Sequence, residues 1–200
     1  LLPPKRPRVI TAHYIPEDDR RLARDGRLYR EMDAVIAHSR KGARRLVEVA
    51  GVSESAVRVI PHGALDYLTT LPDEAPLPPE LEGAEGLVVL FFGLIRPYKG
   101  LDLLIEAMAD VPGAELWVVG NSRVSSDELA KMRLAAAALP GGDRWVTRFV
   151  DDREIPAIMR RADVLVLPYR EAEQSGVLYA GLAFGKPIVA TAVGGFGEVA

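Results

Sequence analysis

Two cationic side chains share one glycine-flanked segment, and together they could hold a phosphorylated ligand. Arg96 and Lys99 lie between Gly93 and Gly100, directly before a run of residues with helical periodicity. Helix amides and two cations all favour negative charge, so the arrangement suits a diphosphate. The residue order of a Walker loop is absent. Two surface cations beside a turn are the alternative interpretation.

Two further segments could bring backbone amides close to a ligand. Gln174, Ser175 and Gly176 precede a second predicted helix, whose first N–H groups could reach a ligand oxygen. Ordinary capping by Ser175 is the alternative there. The paired glycines Gly194 and Gly195 follow another apolar run and would let the backbone approach a ligand closely, with a plain loop as the alternative.

The three histidines are His13, His38 and His62, and no pair of them has the spacing of metal ligands. The sequence also contains neither a G-x-S-x-G elbow nor a D-x-D pair, so it indicates neither a hydrolase nor a two-carboxylate metal site. His13 directly follows a predicted strand, which makes it the first of the three to consider for a functional site. His38 and His62 are expected to be structural.

Apolar runs and helical periodicity alternate along the chain. The predicted strands are 9–12, 33–39, 57–60, 87–92, 116–120, 145–150, 164–167 and 188–190. The predicted helices between them are 41–50, 101–108, 127–139, 152–162 and 177–184. This alternation predicts an α/β fold in which helices cover both faces of a parallel sheet. Ligands of such sheets bind beyond the carboxyl ends of the strands, where the segments above lie.

The composition excludes several classes of protein. Of the 200 residues, 48% are apolar and 26% are charged, which is typical of a globular chain with a core. The net charge of −3 gives no electrostatic reason to expect nucleic acid as a partner. The absence of cysteine excludes disulfides, thiolate metal sites and a cysteine nucleophile. The sequence shows no signal peptide and no membrane-spanning run, so we expect a cytoplasmic protein.

Positive charge is concentrated near the start of the sequence. Residues 1–50 carry 12 Lys/Arg against 7 Asp/Glu. Arg20, Arg24 and Arg27 have the spacing of one helical face. One interpretation is a solvated helix face. The other is a face for an anionic lipid or sugar acceptor, which would bring the protein into peripheral contact with a membrane.

The segment 71–86 has the composition of a stiff linker. It contains four prolines and five acidic residues but no lysine or arginine. The predicted organisation is therefore one domain over residues 1–70, the linker over 71–86 and a second domain over 87–200.

Four parts of the sequence together resemble one enzyme family. They are 91–101 with 103–107, 33–39, 59–63, and the segment from Gln174 through 185–191 to the paired glycines and Glu198. The family is the family 4 glycosyltransferases, which are retaining enzymes of the GT-B fold that use nucleotide sugars. The likeness implies a truncated Rossmann-like donor domain at 87–200. It implies the C-terminal part of an acceptor-side Rossmann-like domain at 1–70.

The resemblance implies roles for particular residues. By position, Lys99 is similar to the lysine that holds the donor phosphates, with Arg96 as a second cation. His13 is similar to the histidine at the sugar-transfer centre. Phe149 and Val150, which are predicted to end a strand, lie where similar proteins contact the nucleotide base. The remaining donor-binding candidates are Gln174, Ser175, Gly176 and Glu198.

The sequence departs from the family pattern at three positions. Leu94 occupies the place of the usual arginine after the first glycine. Ala172 and Ala180 occupy the places of two glutamates. The missing glutamates suggest an alternative function, that of a non-catalytic nucleotide-sugar-binding module or fragment. A sugar-nucleotide epimerase of similar fold is a third alternative, which no motif specifically supports.

The resemblance implies a glycosyltransferase that moves a sugar from a nucleoside-diphosphate sugar to an acceptor with retention of configuration. The acceptor would be a glycan, a lipid or a small molecule. Protein cations and a helix N-terminus would stabilise the leaving phosphate, so no metal or other cofactor is expected. Two such domains need about 300 residues, so we expect this chain of 200 to be a fragment that does not turn over alone.

Overall fold

The computed structural model describes residues 6–199, and its backbone contacts divide the chain into two compact units. The described residues of the first unit are 6–63, 171–175 and 192–199. Those of the second unit are 64–170 and 176–191. The outer ends of the two predicted domains, residues 1–5 and 200, lie outside the described residues.

The first unit is built on a three-stranded parallel sheet. Its strands, in order across the sheet, are β1 (Val9–Ala12), β2 (Ala34–Ala37) and β3 (Val57–Val59). The helices that connect them are α1 (Asp19–Arg30) and α2 (Arg40–Glu48). The register pairs Ala12 with Ala37 and Ala37 with Val59, so the three strands end side by side.

Capping and periodicity explain the two helices of the first unit. Asp18 caps α1 and Ser39 caps α2, each by accepting a backbone N–H of the first helical turn. The apolar side of each helix packs on the sheet, where Leu22 and Leu46 are fully buried. The opposite side of α1 carries the three exposed arginines that the sequence places on one helical face, Arg20, Arg24 and Arg27. Within residues 6–199, no helix has the length and apolar character needed to cross a bilayer.

The second unit is built on five parallel strands. They are β4 (Leu87–Phe92), β5 (Ala114–Val119), β6 (Asp143–Val146), β7 (Val164–Leu167) and β8 (Ile188–Ala190). The helices of this unit are α3 (Leu101–Met108), α4 (Ser126–Ala136), α5 (Ile155–Arg161) and α6 (Gly176–Ala183). The order across the sheet is β6-β5-β4-β7-β8, so the chain leaves β4 toward one edge and later returns to fill the other. The carboxyl end of β4 is therefore the switch point of the sheet.

Helices cover both faces of the five-stranded sheet, as predicted. Val89 and Phe91 of β4 pack into a core shared with α3 and α4. Leu90 points to the opposite face, since side chains alternate along a strand. Its register partner, Leu165, packs against α6, where Gly181 leaves room for it.

Several element boundaries differ from the prediction, among them the start of α4 and both ends of β6. The helix predicted to begin after Ser126 is capped one residue earlier by Ser125, because Ser125 and Glu128 form a reciprocal capping box. The strand predicted over 145–150 is β6, which begins at Asp143 and ends at Val146.

Residues 71–86, predicted to be a linker, pack on the second unit. A 3-10 turn at Pro79–Leu81 contacts β6, and Leu81 is fully buried. The Ala75 N–H donates to the Arg153 carbonyl at 2.8 Å. Leu81 anchors this segment, which the prolines stiffen. The chain passes from the first unit to the second between Gly63 and Ala64, before the predicted linker begins.

Candidate functional site

The loop after β4 carries the two cations. It leaves the strand at Gly93, forms a 3-10 turn over Pro97–Lys99 and enters α3 through Gly100. Gly100 has a φ of 68°, and a Cβ at this position would overlap the carbonyl oxygen of Pro168 at the end of β7. A larger residue would push the loop away from β7. The loop therefore packs closely against the carboxyl ends of the strands, where ligands of parallel sheets bind.

Lys99 is a buried cation within this loop. Only 7% of the residue is exposed, and Nζ lies 5.0 Å from the centre of the Tyr169 ring, whose π face favours positive charge. Burial, and then the neighbouring charge of Arg96, lowers the pKa of Lys99 to about 8. Among residues 6–199, no carboxylate pairs with Lys99. Because buried charges are normally paired, an anionic ligand suits this position.

Arg170, which the sequence analysis does not single out, holds the loop in place. Its guanidinium donates to both carboxylate oxygens of Asp102, at 2.8 and 2.6 Å, and to the Pro97 carbonyl at 2.9 Å. Its backbone N–H donates to the Tyr98 carbonyl at 2.7 Å. The hydrogen bonds from Arg170 hold the pKa of Asp102 below its ordinary value. Together these bonds tie the end of β7 to the turn that carries Lys99.

The start of α6 lies beside the ammonium group. A Cβ built on Gly93 would come within 2.9 Å of Lys99 Nζ and 3.1 Å of Val177 Cγ2. Gly93 has a φ of 102°, a conformation that residues with a Cβ rarely adopt. The structure therefore brings Lys99 next to the first turn of α6, which begins at Gly176. Lys99 and Gly176 are both predicted donor-binding residues.

Phe149 and Val150 lie in a loop, and their predicted position at the end of a strand is wrong. β6 ends at Val146. The Arg148 guanidinium then donates to both carboxylate oxygens of Glu154, at 2.8 and 2.7 Å, which turns the chain toward α5. Phe149 is 76% exposed in this loop. A contact with a nucleotide base remains a prediction for both residues.

The segment before α6 belongs to the first unit and contains a buried carboxylate. Gln174 donates from Nε2 to the His38 carbonyl at 3.4 Å, and Ser175 is buried. Glu173, directly before them, is also buried and accepts a hydrogen bond from the Ser39 hydroxyl. Burial raises the pKa of Glu173, and the bond from Ser39 opposes that rise.

Glu198 caps a helix of the first unit. Its two carboxylate oxygens accept the N–H groups of Arg40 and Lys41 at the start of α2, at 2.7 and 2.8 Å. Ser39 accepts the next N–H, that of Gly42, at 2.8 Å. The first three amides of α2 are thus hydrogen-bonded within the unit. A donor contact of Glu198 stays a prediction, because each carboxylate oxygen can accept a further hydrogen bond.

Three histidines meet at the carboxyl end of the sheet in the first unit. The ring centres of His13 and His38 are 4.8 Å apart, and those of His38 and His62 are 5.4 Å apart. His13 Nδ1 lies 3.1 Å from His38 Nε2, and His38 Nδ1 lies 2.9 Å from the carbonyl oxygen of Ile60. The sequence analysis singles out His13 alone, although each histidine follows one of three adjacent strands. In the part of the chain that the structure describes, no group of His, Asp and Glu is arranged to hold a metal ion.

The predicted site residues divide between the two units. The second unit contains Arg96, Lys99, Phe149, Val150 and Gly176. The first unit contains His13, Gln174, Ser175 and Glu198.

Comparison with known protein families identifies the chain. The family "Glycosyl transferases group 1" matches residues 86–200, which is more than half of the sequence. The chain belongs to that family.

Individual proteins agree with this assignment. A D-inositol 3-phosphate glycosyltransferase of Segniliparus rotundus is 30% identical over 189 residues, covering 90% of this chain and 42% of the relative. A GDP-mannose:glycolipid 4-beta-D-mannosyltransferase of Xanthomonas campestris pv. campestris is 31% identical over 130 residues, covering 62% of this chain and 34% of the relative. Anabaena HepE, crystallised in complex with UDP and glucose, is 25% identical with a TM-score of 0.80, covering 98% of this chain and 56% of that chain. The chain thus spans about half the length of the proteins it matches.

The predicted fold class is confirmed. Both sheets are parallel, and the likeness to Anabaena HepE extends over nearly the whole chain. The architecture is α/β of GT-B type, with a parallel sheet in each of the two compact units.

Proposed function

We propose that this chain forms part of a glycosyltransferase that moves a sugar from a nucleoside-diphosphate sugar to an acceptor hydroxyl, with retention of anomeric configuration. The observation that carries the proposal is the buried ammonium group of Lys99 at the switch point of the five-stranded sheet. It has no carboxylate partner among residues 6–199. The diphosphate of a donor is an anion that suits such a group.

Sugar transfer breaks the bond between the anomeric carbon and the diphosphate, so negative charge builds on the leaving phosphate. Lys99 and Arg96 would stabilise that charge more strongly in the transition state than in the ground state. The N–H groups that begin α6 at Gly176 would add to this effect. Protein groups supply all the positive charge in this scheme, which therefore needs no divalent metal.

The comparisons support a nucleotide sugar as the class of donor and suggest two bases to test. Anabaena HepE was crystallised with UDP and glucose, and the Xanthomonas relative is named for GDP-mannose. We assign the base to Phe149 and Val150, and further donor contacts to Gln174 and Ser175. His13 is assigned to the transfer centre.

For the sugar acceptor we propose a chemical class. The acceptor is a glycan, a lipid or a small molecule with a free hydroxyl group. Arg20, Arg24 and Arg27 on the exposed side of α1 would favour an anionic acceptor or an anionic membrane surface. We expect the enzyme to work in the cytoplasm.

A non-catalytic nucleotide-sugar-binding module is the second candidate function. The observation in its favour is that alanines stand at 172 and 180, where the resembling family has glutamates. Ala180 is buried within α6, and its methyl group offers no hydrogen bond to a ribose or a sugar.

Thermal-shift and calorimetric titrations of the 200-residue chain test the donor assignment. UDP-glucose or GDP-mannose at a hundred times its Kd should stabilise the chain by about 2.7 kcal/mol. Inorganic pyrophosphate is the control for a site that recognises phosphate alone. Release of nucleoside diphosphate in the presence of a sugar acceptor, by a protein that includes the whole acceptor-side domain, separates the enzyme from the binding module. Failure of every nucleotide sugar to bind would contradict both candidates.

A further inference from the structure

The histidine cluster of the first unit contains a hydrogen-bond chain whose direction can be worked out. The Ile60 carbonyl can only accept, so His38 Nδ1, which lies 2.9 Å away, carries a hydrogen. A neutral imidazole has one N–H, so His38 Nε2 is then a hydrogen-bond acceptor. His13 Nδ1 lies 3.1 Å from that nitrogen and must therefore donate to it.

The direction of this chain decides which nitrogen of His13 is available to a ligand. With its hydrogen on Nδ1, neutral His13 has a lone pair on Nε2. His13 is exposed, and among residues 6–199 no group hydrogen-bonds to that nitrogen. The register places the two histidines side by side, because each directly follows one of the paired residues Ala12 and Ala37.

We propose that His38 is a positioning residue that fixes His13 in the tautomer with hydrogen on Nδ1. His13 then presents Nε2 as a hydrogen-bond acceptor to a hydroxyl group of the donor sugar or of the sugar acceptor. The identity of that hydroxyl rests on the proposed function, whereas the tautomer does not. His38 acts through His13 and does not itself touch substrate.

Nuclear magnetic resonance of the ¹⁵N-labelled 200-residue chain tests the tautomer directly. Long-range ¹H–¹⁵N spectra at pH 8, where imidazole is ordinarily neutral, distinguish the ring nitrogen that carries hydrogen from the one that does not. The three histidine signals are assigned by substituting each histidine singly. We expect His13 in wild type to show hydrogen on Nδ1.

Two substitutions of His38 form a matched pair. His38→Leu removes the hydrogen-bond acceptor, and the ratio of the two His13 tautomers should change about fivefold, the net effect of one hydrogen bond. His38→Gln retains an oxygen that can accept from His13 Nδ1, so the wild-type pattern should return. Hydrogen on His13 Nε2 in wild type, or an unchanged tautomer ratio in a folded His38→Leu variant, would overturn the proposal.

Titration with UDP-glucose and with UDP tests the hydroxyl partner. A change at His13 Nε2 with UDP-glucose but not with UDP supports the proposal and assigns the hydroxyl to the donor sugar. A change at His13 Nε2 that appears only after glycerol is added also supports the proposal, and it assigns the hydroxyl to the sugar acceptor. If UDP-glucose binds and neither addition perturbs Nε2, the assignment to a substrate hydroxyl is overturned. If neither UDP-glucose nor GDP-mannose binds, the proposed function fails while the tautomer result stands on its own.

Discussion

Two strand-to-helix junctions of this molecule are built alike but carry opposite electrostatics. In the second unit, β4 leads into α3, and the buried ammonium of Lys99 lies at the turn with no carboxylate partner among residues 6–199. In the first unit, β2 leads into α2, and Glu198 and Ser39 occupy the first amides of that helix.

The difference separates a junction that suits a ligand from one that anchors the chain. Parallel-sheet topology places both at the carboxyl end of a strand, where helix amides create positive potential. At α2 the protein supplies the balancing carboxylate itself. At the β4–α3 junction the carboxylate of Asp102 pairs with Arg170, while the ammonium of Lys99 lies against the aromatic ring of Tyr169. Topology thus predicts where an anion could bind, and the neighbouring side chains decide which junction remains available.

Among the substitutions considered, Lys99→Met should have the largest effect, because it removes the buried cation that distinguishes the β4–α3 junction. The variant loses a charge-assisted hydrogen bond to the donor diphosphate, worth about 1.5–3 kcal/mol, so the donor Kd should rise about 10- to 150-fold. The same change removes a poorly solvated charge. The free energy of unfolding at pH 7 should therefore increase, by on the order of 1–3 kcal/mol. Calorimetry and denaturant unfolding measure the two effects.

The control for this variant is Lys131→Met, which removes an exposed lysine of α4 in the same unit. It should leave both the donor Kd and the stability close to wild type. Because Lys99→Met is expected to be more stable than wild type, weaker binding could not be ascribed to misfolding. Wild-type affinity in Lys99→Met would show that the buried cation is not the donor site.

The pH dependence of Lys99 has a definite sign. Its pKa is lowered from 10.5 to about 8 in the folded chain, so the unfolded chain holds the proton more tightly. The stability difference between Lys99→Met and wild type should stay constant below pH 8 and close as the pH rises toward 10.5. Donor binding by wild type requires the ammonium form, so it should weaken as the pH rises above about 8.

Arg170→Gln tests whether the cation must be held in place, and its effect should be smaller. The substitution removes the ion pair with Asp102 and the bond to the Pro97 carbonyl, while Lys99 itself remains. We expect the donor Kd to rise about three- to fivefold, because exposed ion pairs contribute up to about 1 kcal/mol. Asp102→Asn should have a similar effect. Arg153→Gln, which disrupts a different exposed pair with Asp151, is the control. Equal Kd values for Arg170→Gln and wild type would show that the loop is rigid without the hydrogen bonds of the Arg170 guanidinium.

The strands show what an apolar pattern can and cannot predict. The predicted strands 87–92 and 164–167 are confirmed at both ends, because uninterrupted apolar runs end where the sheet ends. Phe149 and Val150 are also apolar, but Thr147 and Arg148 separate them from the end of β6. There the pair between Arg148 and Glu154 turns the chain, and an apolar pattern contains no information about such a pair.

The loop around Lys99 and the histidine cluster also differ in how well the sequence alone predicts them. The glycines, cations and helix start around Lys99 lie within residues 93–101, so a local segment of sequence was enough to predict a candidate phosphate loop. The pair of His13 and His38 joins residues 25 apart, and the pair of Arg170 and Asp102 joins residues 68 apart. Such partners meet through strand register and packing, which no short motif encodes.

Glu198→Gln should have the smallest effect, and it sharpens the other half of the comparison. The amide oxygen can still accept one N–H at the start of α2, but the negative charge at the positive end of the helix is lost. That charge is worth about 0.3–1 kcal/mol. The amides of Arg40 and Lys41 should exchange hydrogen faster, while those of the second unit should not change.

Salt and donor binding decide between the two possible roles of Glu198. If Glu198 is a helix cap, added salt should shrink the stability difference between Glu198→Gln and wild type, because salt screens a charge at a helix end. The donor Kd should stay at its wild-type value in that case. A Kd raised tenfold with unchanged stability would instead make Glu198 a donor ligand, as the family resemblance implies. The amides of α2 would then no longer be occupied by a purely structural group, and the contrast between the two junctions would not hold.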